Sequence, residues 1–298
     1  MPVSFYFFNR LIYVTFSLVF SYIMVLMPES KIHMMSWNIC RGGYASYRPL
    51  NDIPEREKPI KDFINYYHAN LGVNTICLTD AYRWRKHYGN DKAIARHLGY
   101  RNAILTPLMD ERIGSLVGSG AAIVFATDHI IERTDFLNLG NRQALKATLD
   151  CKTYTLDIVC VYLDDLSEYT RVKQVKTLLA KLERDKPTII TGDLNTLRPN
   201  MHNANISIKV KDSLVRALTH VAPRHAEFNK RQALPLIEAA GFIDGDEQHK
   251  RPTAPAKFPV VGVDYMFHSK SIHVESFYIP PIRSISDHRP IIFRADHI

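Results

Sequence analysis

Four strand-like runs follow one another between residues 121 and 163, and they limit the possible folds more than any other part of the chain. Each run is rich in apolar and β-branched residues, as half-buried strands are. Connections of three or four residues join them, which is too short for a crossover between parallel strands. We therefore predict an antiparallel meander of four strands, at residues 121–126, 130–138, 143–150 and 154–163.

Helical and strand patterns alternate over the rest of the chain from residue 31. Apolar residues at a spacing of 3.6 predict helices, and short apolar runs predict strands. The predicted helices cover residues 54–70, 91–98, 167–184, 212–220 and 230–240. The other predicted strands cover residues 31–40, 74–79, 100–105, 187–190, 260–268, 272–279 and 291–294. No repeat or linker divides residues 31–298, so we expect one α/β domain there.

Residues 1–30 are set apart from that domain by their composition. No charged residue interrupts the 17 residues Leu11–Met27, a length at the lower limit for a helix that spans a membrane. Three interpretations are open: an N-terminal membrane anchor, a start codon annotated too far upstream, or a helix that packs on the domain.

Charge and cysteine content indicate the kind of partner and compartment. The net charge is +8, which fits a polyanionic partner such as nucleic acid, a phosphorylated ligand or an anionic membrane surface. The four cysteines show no Cys-x-x-Cys spacing, so we predict reduced, mostly buried thiols. We expect a cytoplasmic location, with a membrane tether through the N-terminal segment as the alternative.

Polar side chains recur where the predicted strands end. A polar group inside an apolar strand costs free energy unless it is satisfied, so their placement indicates a shared site. Asp193 and Asn195 lie two residues apart in an extended segment and would point to the same side. Carboxylate and amide oxygens suit Mg²⁺ or Mn²⁺, and an Asp–His pair suits acid–base work. The candidates are Asn38, Asp80, Tyr162, Asp193, Asn195, Asp264, Asp287 and His288. By contrast, Asp164 and Asp165 are predicted to be solvated loop residues, and residues 113–120 a simple turn.

These candidates occur in an ordered set of motifs that resembles the endonuclease/exonuclease/phosphatase superfamily over about residues 32–296. The motifs are Ser36-Trp37-Asn38, Leu78-Thr79-Asp80, Tyr162, Gly192-Asp193-Leu194-Asn195, Val263-Asp264-Tyr265 and Ser286-Asp287-His288. The resemblance implies an α/β, four-layer αββα sandwich of two packed mixed β-sheets flanked by helices, the DNase-I-like fold. It also implies hydrolysis of phosphate esters with a divalent metal.

The resemblance also implies roles for the catalytic residues. Asp193 would position or deprotonate the attacking water, and Asn195 would orient that water or the phosphate. Asp264 would hydrogen-bond His288, which would contact the phosphate or act as acid and base. Tyr162 would donate a hydrogen bond to a phosphate oxygen.

For the metal, the resemblance implies that Asn38, Asp80 and Asp287 hold Mg²⁺, with Mn²⁺ as a possible substitute. Superfamily members normally carry Gln-Glu where this chain has Thr79-Asp80, so the shorter Asp80 departs from the pattern. Arg41 and Arg83 are the candidate substrate-binding residues.

We therefore expect a metal-dependent phosphodiester hydrolase, most simply a monomeric endonuclease or exonuclease acting on nucleic acid. The basic charge and a group of cationic and aromatic residues favour nucleic acid, namely Arg41, Tyr44, Tyr47, Arg83 and Trp84. Two alternatives are a phosphatase or phospholipid phosphodiesterase of the same superfamily, and a catalytically impaired member that only binds, because Asp80 replaces Glu.

Overall fold

Two six-stranded mixed sheets pack face to face, with helices on their outer faces. The computed structural model describes residues 31–43, 55–107, 122–197, 232–246, 251–257, 259, 261–282 and 285–298. The predictions for residues 1–30, Tyr44, Tyr47, the turn 113–120 and the helix 212–220 fall outside these ranges. Within them, no helix is both long enough and apolar enough to cross a membrane.

The first sheet has the strand order β11-β12-β1-β2-β4-β3. Its strands are β1 (Ile32–Asn38), β2 (Thr75–Thr79), β3 (Asn102–Leu105), β4 (Val124–Thr127), β11 (Ile272–Tyr278) and β12 (Ile291–His297). Only the β1–β2 pair is parallel among the pairs described in this sheet.

The second sheet has the strand order β5-β6-β7-β8-β10-β9. Its strands are β5 (Ile130–Asn138), β6 (Gln143–Asp150), β7 (Thr155–Tyr162), β8 (Thr188–Asp193), β9 (Ile243–Asp244) and β10 (Asp264–His268). Here β7 and β8 are parallel, and the other described pairs are antiparallel.

Strand alternation separates a central core from two outer cores. Met34 faces the other sheet, whereas Met35 packs on the helical side. On β8, Ile189 likewise lies in the central core, and Ile190 lies in the outer core under the helices. The outer layers contain α1 (Glu57–Leu71), α2 (Trp84–Tyr88) and α3 (Asp91–Leu98) on the first sheet, and α4 (Glu168–Leu179) and α5 (Ala233–Ala239) on the second. The predicted αββα sandwich is therefore confirmed. All four cysteines are buried free thiols.

The predicted four-strand meander is wrong in one strand. β5, β6 and β7 form an antiparallel meander, but β4 belongs to the other sheet, between β2 and β3. The chain crosses between the sheets right after β4, where the Asp128 amide donates to the Asn74 carbonyl. A short connection joins two stacked sheets as readily as it joins hairpin neighbours, so its length does not separate the two arrangements.

The largest differences from the predicted helices concern α4 and α2. α4 begins after Ser167, whose hydroxyl accepts the Thr170 amide as an N-cap, but it ends at Leu179 rather than at residue 184. α2 (Trp84–Tyr88) was not predicted. Trp84 packs in the outer core and is 1% exposed.

Candidate active site

Strand geometry places the predicted catalytic residues in one row at one end of the second sheet. Tyr162 of β7 and Asp264 of β10 both pair with Asp193, the last residue of β8. Side chains two residues apart on a strand share a face. Cys160, two residues before Tyr162, and Met266, two residues after Asp264, lie in the central core between the sheets, and Thr191 holds the matching position before Asp193. The three side chains therefore point into the space between the sheets.

Asn38 reaches the same point from the other sheet. Its side-chain amide donates to Oδ2 of Asp193 over 2.9 Å, and its own Oδ1 accepts the Cys40 amide. The second oxygen of Asp193 accepts the Asn195 amide at 2.9 Å, and the Asn195 side chain donates to the Leu163 carbonyl at 3.0 Å. Asp193 is 1% exposed, so these donors stabilise a carboxylate that water barely reaches.

His288 completes this group from the loop before β12. Its Nδ1 lies 2.9 Å from Oδ2 of Asp264 and 4.0 Å from Oδ2 of Asp193. The Trp37 indole donates to the His288 carbonyl at 2.9 Å, and the His288 amide donates to the Ser286 hydroxyl. Both ends of the residue are thus fixed, which orients the imidazole.

The charges in this group are strongly coupled. Burial alone lowers the pKa of His288, but Asp264 and Asp193 outweigh it and raise that pKa well above its usual value. Burial raises the pKa of Asp193 to about 7, although the positive charge of His288 opposes the shift. The group therefore holds a proton on the imidazole between two carboxylates, a suitable arrangement for proton transfer.

The predicted metal ligands lie beside this group. Asp80 follows β2 with a left-handed backbone, and its Oδ2 accepts the Arg41 amide at 2.7 Å. Burial raises the pKa of Asp80 to about 7, and the charge of Asp287 adds to the shift, while the Arg41 amide opposes it. The same two carboxylates raise the pKa of the Cys40 thiol, in addition to its burial. Two neighbouring carboxylates that supply hard oxygens, one of them buried, fit a divalent cation such as Mg²⁺.

A second arrangement could also hold a metal ion. One donor atom each from Asp193, Asp264 and His288 lie within 4.8 Å of one another. Nδ1 of His288 is already hydrogen-bonded to Asp264, so this group is satisfied as it stands. Asn38, Asp80 and Asp287 offer oxygen ligands alone, which suit Mg²⁺ better than a group that includes an imidazole nitrogen.

Arg142 is a candidate that the sequence interpretation missed. It precedes β6 and is 4% exposed, and its guanidinium stacks 4.8 Å from the centre of the Tyr162 ring. Nη2 donates to Asp165 at 2.8 Å, while the buried Nε finds no acceptor among the described residues. Asn141-Arg142 looks like an ordinary hairpin turn in sequence, so no local signal marked it.

The prediction that Asp164 and Asp165 are solvated loop residues is wrong for Asp164, whereas the side chain of Asp165 is 38% exposed. Asp164 is 5% exposed, its Oδ1 accepts the amides of Leu166 and Ser167, and its Oδ2 accepts the Asn141 side chain. Asp165 pairs with Arg142. The two aspartates turn the chain from β7 into α4 and hold Arg142 against Tyr162.

The predicted substrate-binding residues have different surroundings. Besides its amide bond to Asp80, Arg41 carries a charge that lowers the pKa of that carboxyl against the larger effect of burial. The Arg83 guanidinium lies 5.1 Å from the centre of the Tyr82 ring. Trp84 donates its indole N–H to the Gly42 carbonyl and is a core residue, so it does not add to the surface that was expected to favour nucleic acid.

Left-handed backbone conformations concentrate around the site. A non-glycine residue with positive φ is strained, because Cβ approaches the carbonyl oxygen. Six such residues occur in the described part of the chain, and only Lys152 is remote from the candidate site. The other five are Cys40, Arg41, Asp80, Arg83 and Asn195.

No protein-family model matches the chain, and no curated protein matches it in sequence. Structure comparison is informative. An endonuclease/exonuclease/phosphatase from Beutenbergia cavernae has a TM-score of 0.59 at 15% identity, covering 90% of this chain and 72% of its own.

Two further solved structures show the same likeness. An AP endonuclease from Archaeoglobus fulgidus has a TM-score of 0.61 at 13% identity, covering 88% of this chain and 98% of its own. TDP2 from D. rerio, complexed with a single-strand DNA product, has a TM-score of 0.55 at 15% identity, covering 90% and 100%. The chain therefore has the DNase-I-like fold of endonuclease/exonuclease/phosphatase proteins. A fold does not define a reaction, so function has to follow from the site.

Proposed function

We propose that this protein is a metal-dependent phosphodiester hydrolase. The observation that carries the proposal is the hydrogen-bonded group in which Asp264 contacts His288, His288 lies beside Asp193, and Asn38 bonds Asp193. The group is buried, its proton affinities are shifted, and it lies where β1 and β8 end. Perturbed titratable groups that converge in this way are typical of catalytic sites.

Each residue of the chain has a role in this proposal. Asp193 accepts the proton of the attacking water, and Asn195 holds the backbone turn that orients that carboxylate. Protonated His288, kept charged by Asp264, donates to a phosphate oxygen and stabilises the charge that develops there. Asn38, Asp80 and Asp287 would hold Mg²⁺, whose chemistry is to offset negative charge on the phosphate and leaving oxygen.

Arg142 and Tyr162 would contact the phosphate from the second sheet. The stacked pair presents a hydroxyl and a guanidinium edge, and the Nε of Arg142 has no acceptor among the described residues. A guanidinium is a planar donor that suits phosphate geometry. Arg41 and Arg83 stay candidates for contacts farther along the substrate.

The substrate proposed is nucleic acid. The net charge of +8 supports a polyanionic partner. Two of the solved structures with this fold support it as well, an AP endonuclease and a TDP2 complex with single-strand DNA. A phosphatase or phospholipid phosphodiesterase activity is the alternative within the same chemistry.

A substrate panel tests the proposal. The full chain, with Mg²⁺ or Mn²⁺ and with chelator, is incubated with abasic, nicked, single-stranded and duplex DNA and with a chromogenic phosphodiester. We expect metal-dependent hydrolysis of at least one DNA, and its loss in His288→Asn. His268→Asn, a buried histidine of β10 that contacts the Ser269 carbonyl, is the matched control. A folded protein that hydrolyses none of these esters would contradict the proposal.

A second candidate function is binding without turnover, and it rests on Asp80. This carboxylate is shorter than the Glu that the resemblance to the superfamily implies at this position, and it is fixed by the Arg41 amide. If the protein only binds, Asp80→Glu should raise the rate from near zero. If the wild type turns over and Asp80→Ala does not, the binding-only function is excluded.

A further inference from the structure

The core face of α4 carries two polar side chains, Arg171 and Gln174, beside the apolar Val175 and Leu178. Arg171 and Gln174 are both 0% exposed. They lie three residues apart in the helix and therefore on the same face. A buried polar group costs free energy unless it is satisfied, so the partners of these two side chains show what they hold in place.

Both side chains hold Asp164, which lies two residues after Tyr162. Nη1 of Arg171 donates to the Asp164 carbonyl over 2.8 Å, and its Nε donates to Glu168 over 2.7 Å. The Asp164 amide donates to Oε1 of Gln174 over 2.9 Å. The backbone just beyond Tyr162 is therefore bound to α4 through both its donor and its acceptor.

Gln174 also contacts the turn that carries Arg142. Its Nε2 donates to Oδ1 of Asn141 over 2.8 Å, and Nδ2 of Asn141 donates to Oδ2 of Asp164 over 2.6 Å. With the bond from the Asp164 amide, these contacts close a ring of three hydrogen bonds through Asn141, Asp164 and Gln174, here called the amide ring. The amide ring joins the residue before Arg142 to the residue two positions after Tyr162.

The amide ring is satisfied in only one arrangement of donors and acceptors. A carboxylate only accepts and a backbone amide only donates, so Asp164 sets both ends. If the Asn141 side chain were rotated, its oxygen would face the Asp164 carboxylate. If the Gln174 side chain were rotated, its NH₂ group would face the Asp164 amide. Each of the two side chains is therefore held in one orientation, and a fully satisfied network of this kind is rigid.

The placement of Arg142 depends on the two segments that the amide ring joins. Its guanidinium stacks 4.8 Å from the centre of the Tyr162 ring, and its Nη2 donates to Asp165 over 2.8 Å. Its carbonyl accepts the Leu139 amide over 2.9 Å, which closes the turn. A planar guanidinium binds phosphate through donors of fixed direction, so a small displacement of either segment would turn these donors away.

We propose that Gln174 is a positioning residue that acts through the amide ring to direct the Arg142 guanidinium at the phosphate. This role rests on the proposed function, in which Arg142 contacts the phosphodiester. Gln174 itself is fully buried and acts only through its neighbours. A displaced guanidinium weakens substrate binding but leaves the proton acceptor Asp193 in place, so the effect belongs to KM and not to kcat.

Removal of the Gln174 amide is the direct test. Gln174→Met keeps the length of the side chain but makes neither hydrogen bond of the ring, and we expect KM to rise about fivefold with kcat changed less than about twofold. Thr148→Val is the matched control, because it deletes a buried hydrogen bond of 2.6 Å to Asp157 elsewhere on the same sheet. It should lower the melting temperature and leave KM unchanged. An equal rise of KM in both variants would overturn the proposal, since lost stability alone would explain it.

An exchange of Asn141 and Asp164 tests the ring without changing Gln174, and it remains decisive if Gln174→Met does not fold. In Asn141→Asp, two carboxylates face each other, and in Asp164→Asn, the ring has one donor too many. At about pH 8, where carboxylates are ionised, each single variant should raise KM about fivefold. The double variant Asn141→Asp/Asp164→Asn can form all three bonds again, so its KM should return to within about twofold of wild type. A double variant no better than the single variants would overturn the proposal.

Chemical labelling separates this inference from the proposed function. With chelator and without substrate, peptide mass spectrometry follows the modification of Arg142 by phenylglyoxal, with the exposed Arg133 as internal reference. Arg142 is 4% exposed, so its modification should be slow in wild type, about threefold or more faster in Asn141→Asp and Asp164→Asn, and slow again in the double variant. Unchanged labelling, or changed labelling with unchanged KM, would overturn the proposal. A protein that shows this labelling pattern but hydrolyses no ester would refute the proposed function and leave the control of Arg142 by the amide ring intact.

Discussion

Asn38 and Asp193 belong to different sheets, yet the amide of Asn38 donates to the carboxylate of Asp193 over 2.9 Å. The site is therefore assembled by sheet packing and not by a single loop. Both carboxylate oxygens of Asp193 have a donor, one from each side of the interface. A small shift between the sheets would break this bond and change the proton affinity of Asp193.

Replacement of Asp193 by Asn should abolish most turnover. The amide keeps the shape of the side chain but cannot accept a proton from water, so we expect kcat to fall by about 10²- to 10⁴-fold. Hydrolysis of a chromogenic diester measures the rate, and a thermal melt verifies folding. Asp62→Asn, an exposed residue of α1 that pairs with Lys58, is the control and should leave kcat unchanged. A similar rate in both variants would remove Asp193 from the mechanism.

Arg142→Lys should weaken substrate binding more than it destabilises the fold. Lysine retains the charge but loses the planar contact with Tyr162 and the fork of donors, so KM should rise roughly tenfold or more. The measurement is a full saturation curve at fixed Mg²⁺. Arg133→Lys, in the exposed strand β5 beside Asp135, serves for comparison and should leave KM unaltered. An unchanged KM in Arg142→Lys would show that this guanidinium only supports the loop.

Metal affinity should depend on the ionisation of Asp80. A carboxyl must lose its proton to bind a cation, and the pKa of Asp80 is raised to about 7. Calorimetric Mg²⁺ titrations should therefore show affinity increasing with pH up to about 7 and little change above it. In Asp80→Asn, the affinity should be lower and less dependent on pH. A wild-type affinity that is constant across neutral pH would contradict this assignment.

The stability of the metal-free protein should fall as pH rises. The folded pKa of Asp80 is raised from 3.8 to about 7, so the folded state binds the proton more tightly than the unfolded state does. Its contribution is complete below about pH 4 and is lost as pH rises through about 7, with a magnitude on the order of 4 kcal/mol. Denaturant titrations at several pH values, with chelator, measure the free energy of unfolding of wild type and of Asp80→Asn. The amide does not titrate, so the variant lacks the contribution of Asp80 to the pH dependence of that free energy. A difference between the two proteins that does not change with pH would disprove the raised pKa.

Gly192→Ala should prevent proper pairing of β7 and β8. Gly192 has φ of +136°, and a Cβ there would lie 2.0 Å from the Val161 carbonyl oxygen of β7. We expect a loss of more than about 3 kcal/mol in the free energy of unfolding. Gly72, at the end of α1, also has positive φ but no atom within 4 Å of a built Cβ. Gly72→Ala should therefore lower the free energy of unfolding by only about 1 kcal/mol. Equal losses in the two variants would show that the positive φ of Gly192, and not the close Val161 carbonyl, makes alanine unfavourable there.

The sequence predicted those parts of the molecule that depend on local order along the chain. Asn38, Asp193 and Asp264 were identified because polar residues at strand ends are unusual, and strand alternation then brings them together. The close approach of β7 to Gly192 depends on the pairing of two strands, so the local sequence does not reveal it.

The remaining parts depend on contacts between distant segments. The sheet to which β4 belongs is decided by its pairing with β2 and β3, which its own residues do not reveal. Arg142 gains its significance from Tyr162 and Asp165, about 20 residues away in the chain. Neither relation has a periodic or compositional signal that a single sequence could show.

The five left-handed residues around the site have a consequence for anyone who wishes to engineer this protein. Glycine would fit these backbone angles with less strain, so substitutions such as Asp80→Gly or Asn195→Gly remove conformational strain. The same substitutions delete the oxygens that the chemistry requires. A screen that selects only for heat resistance would therefore tend to enrich well-folded, inactive variants from this region, and selection for turnover must accompany it.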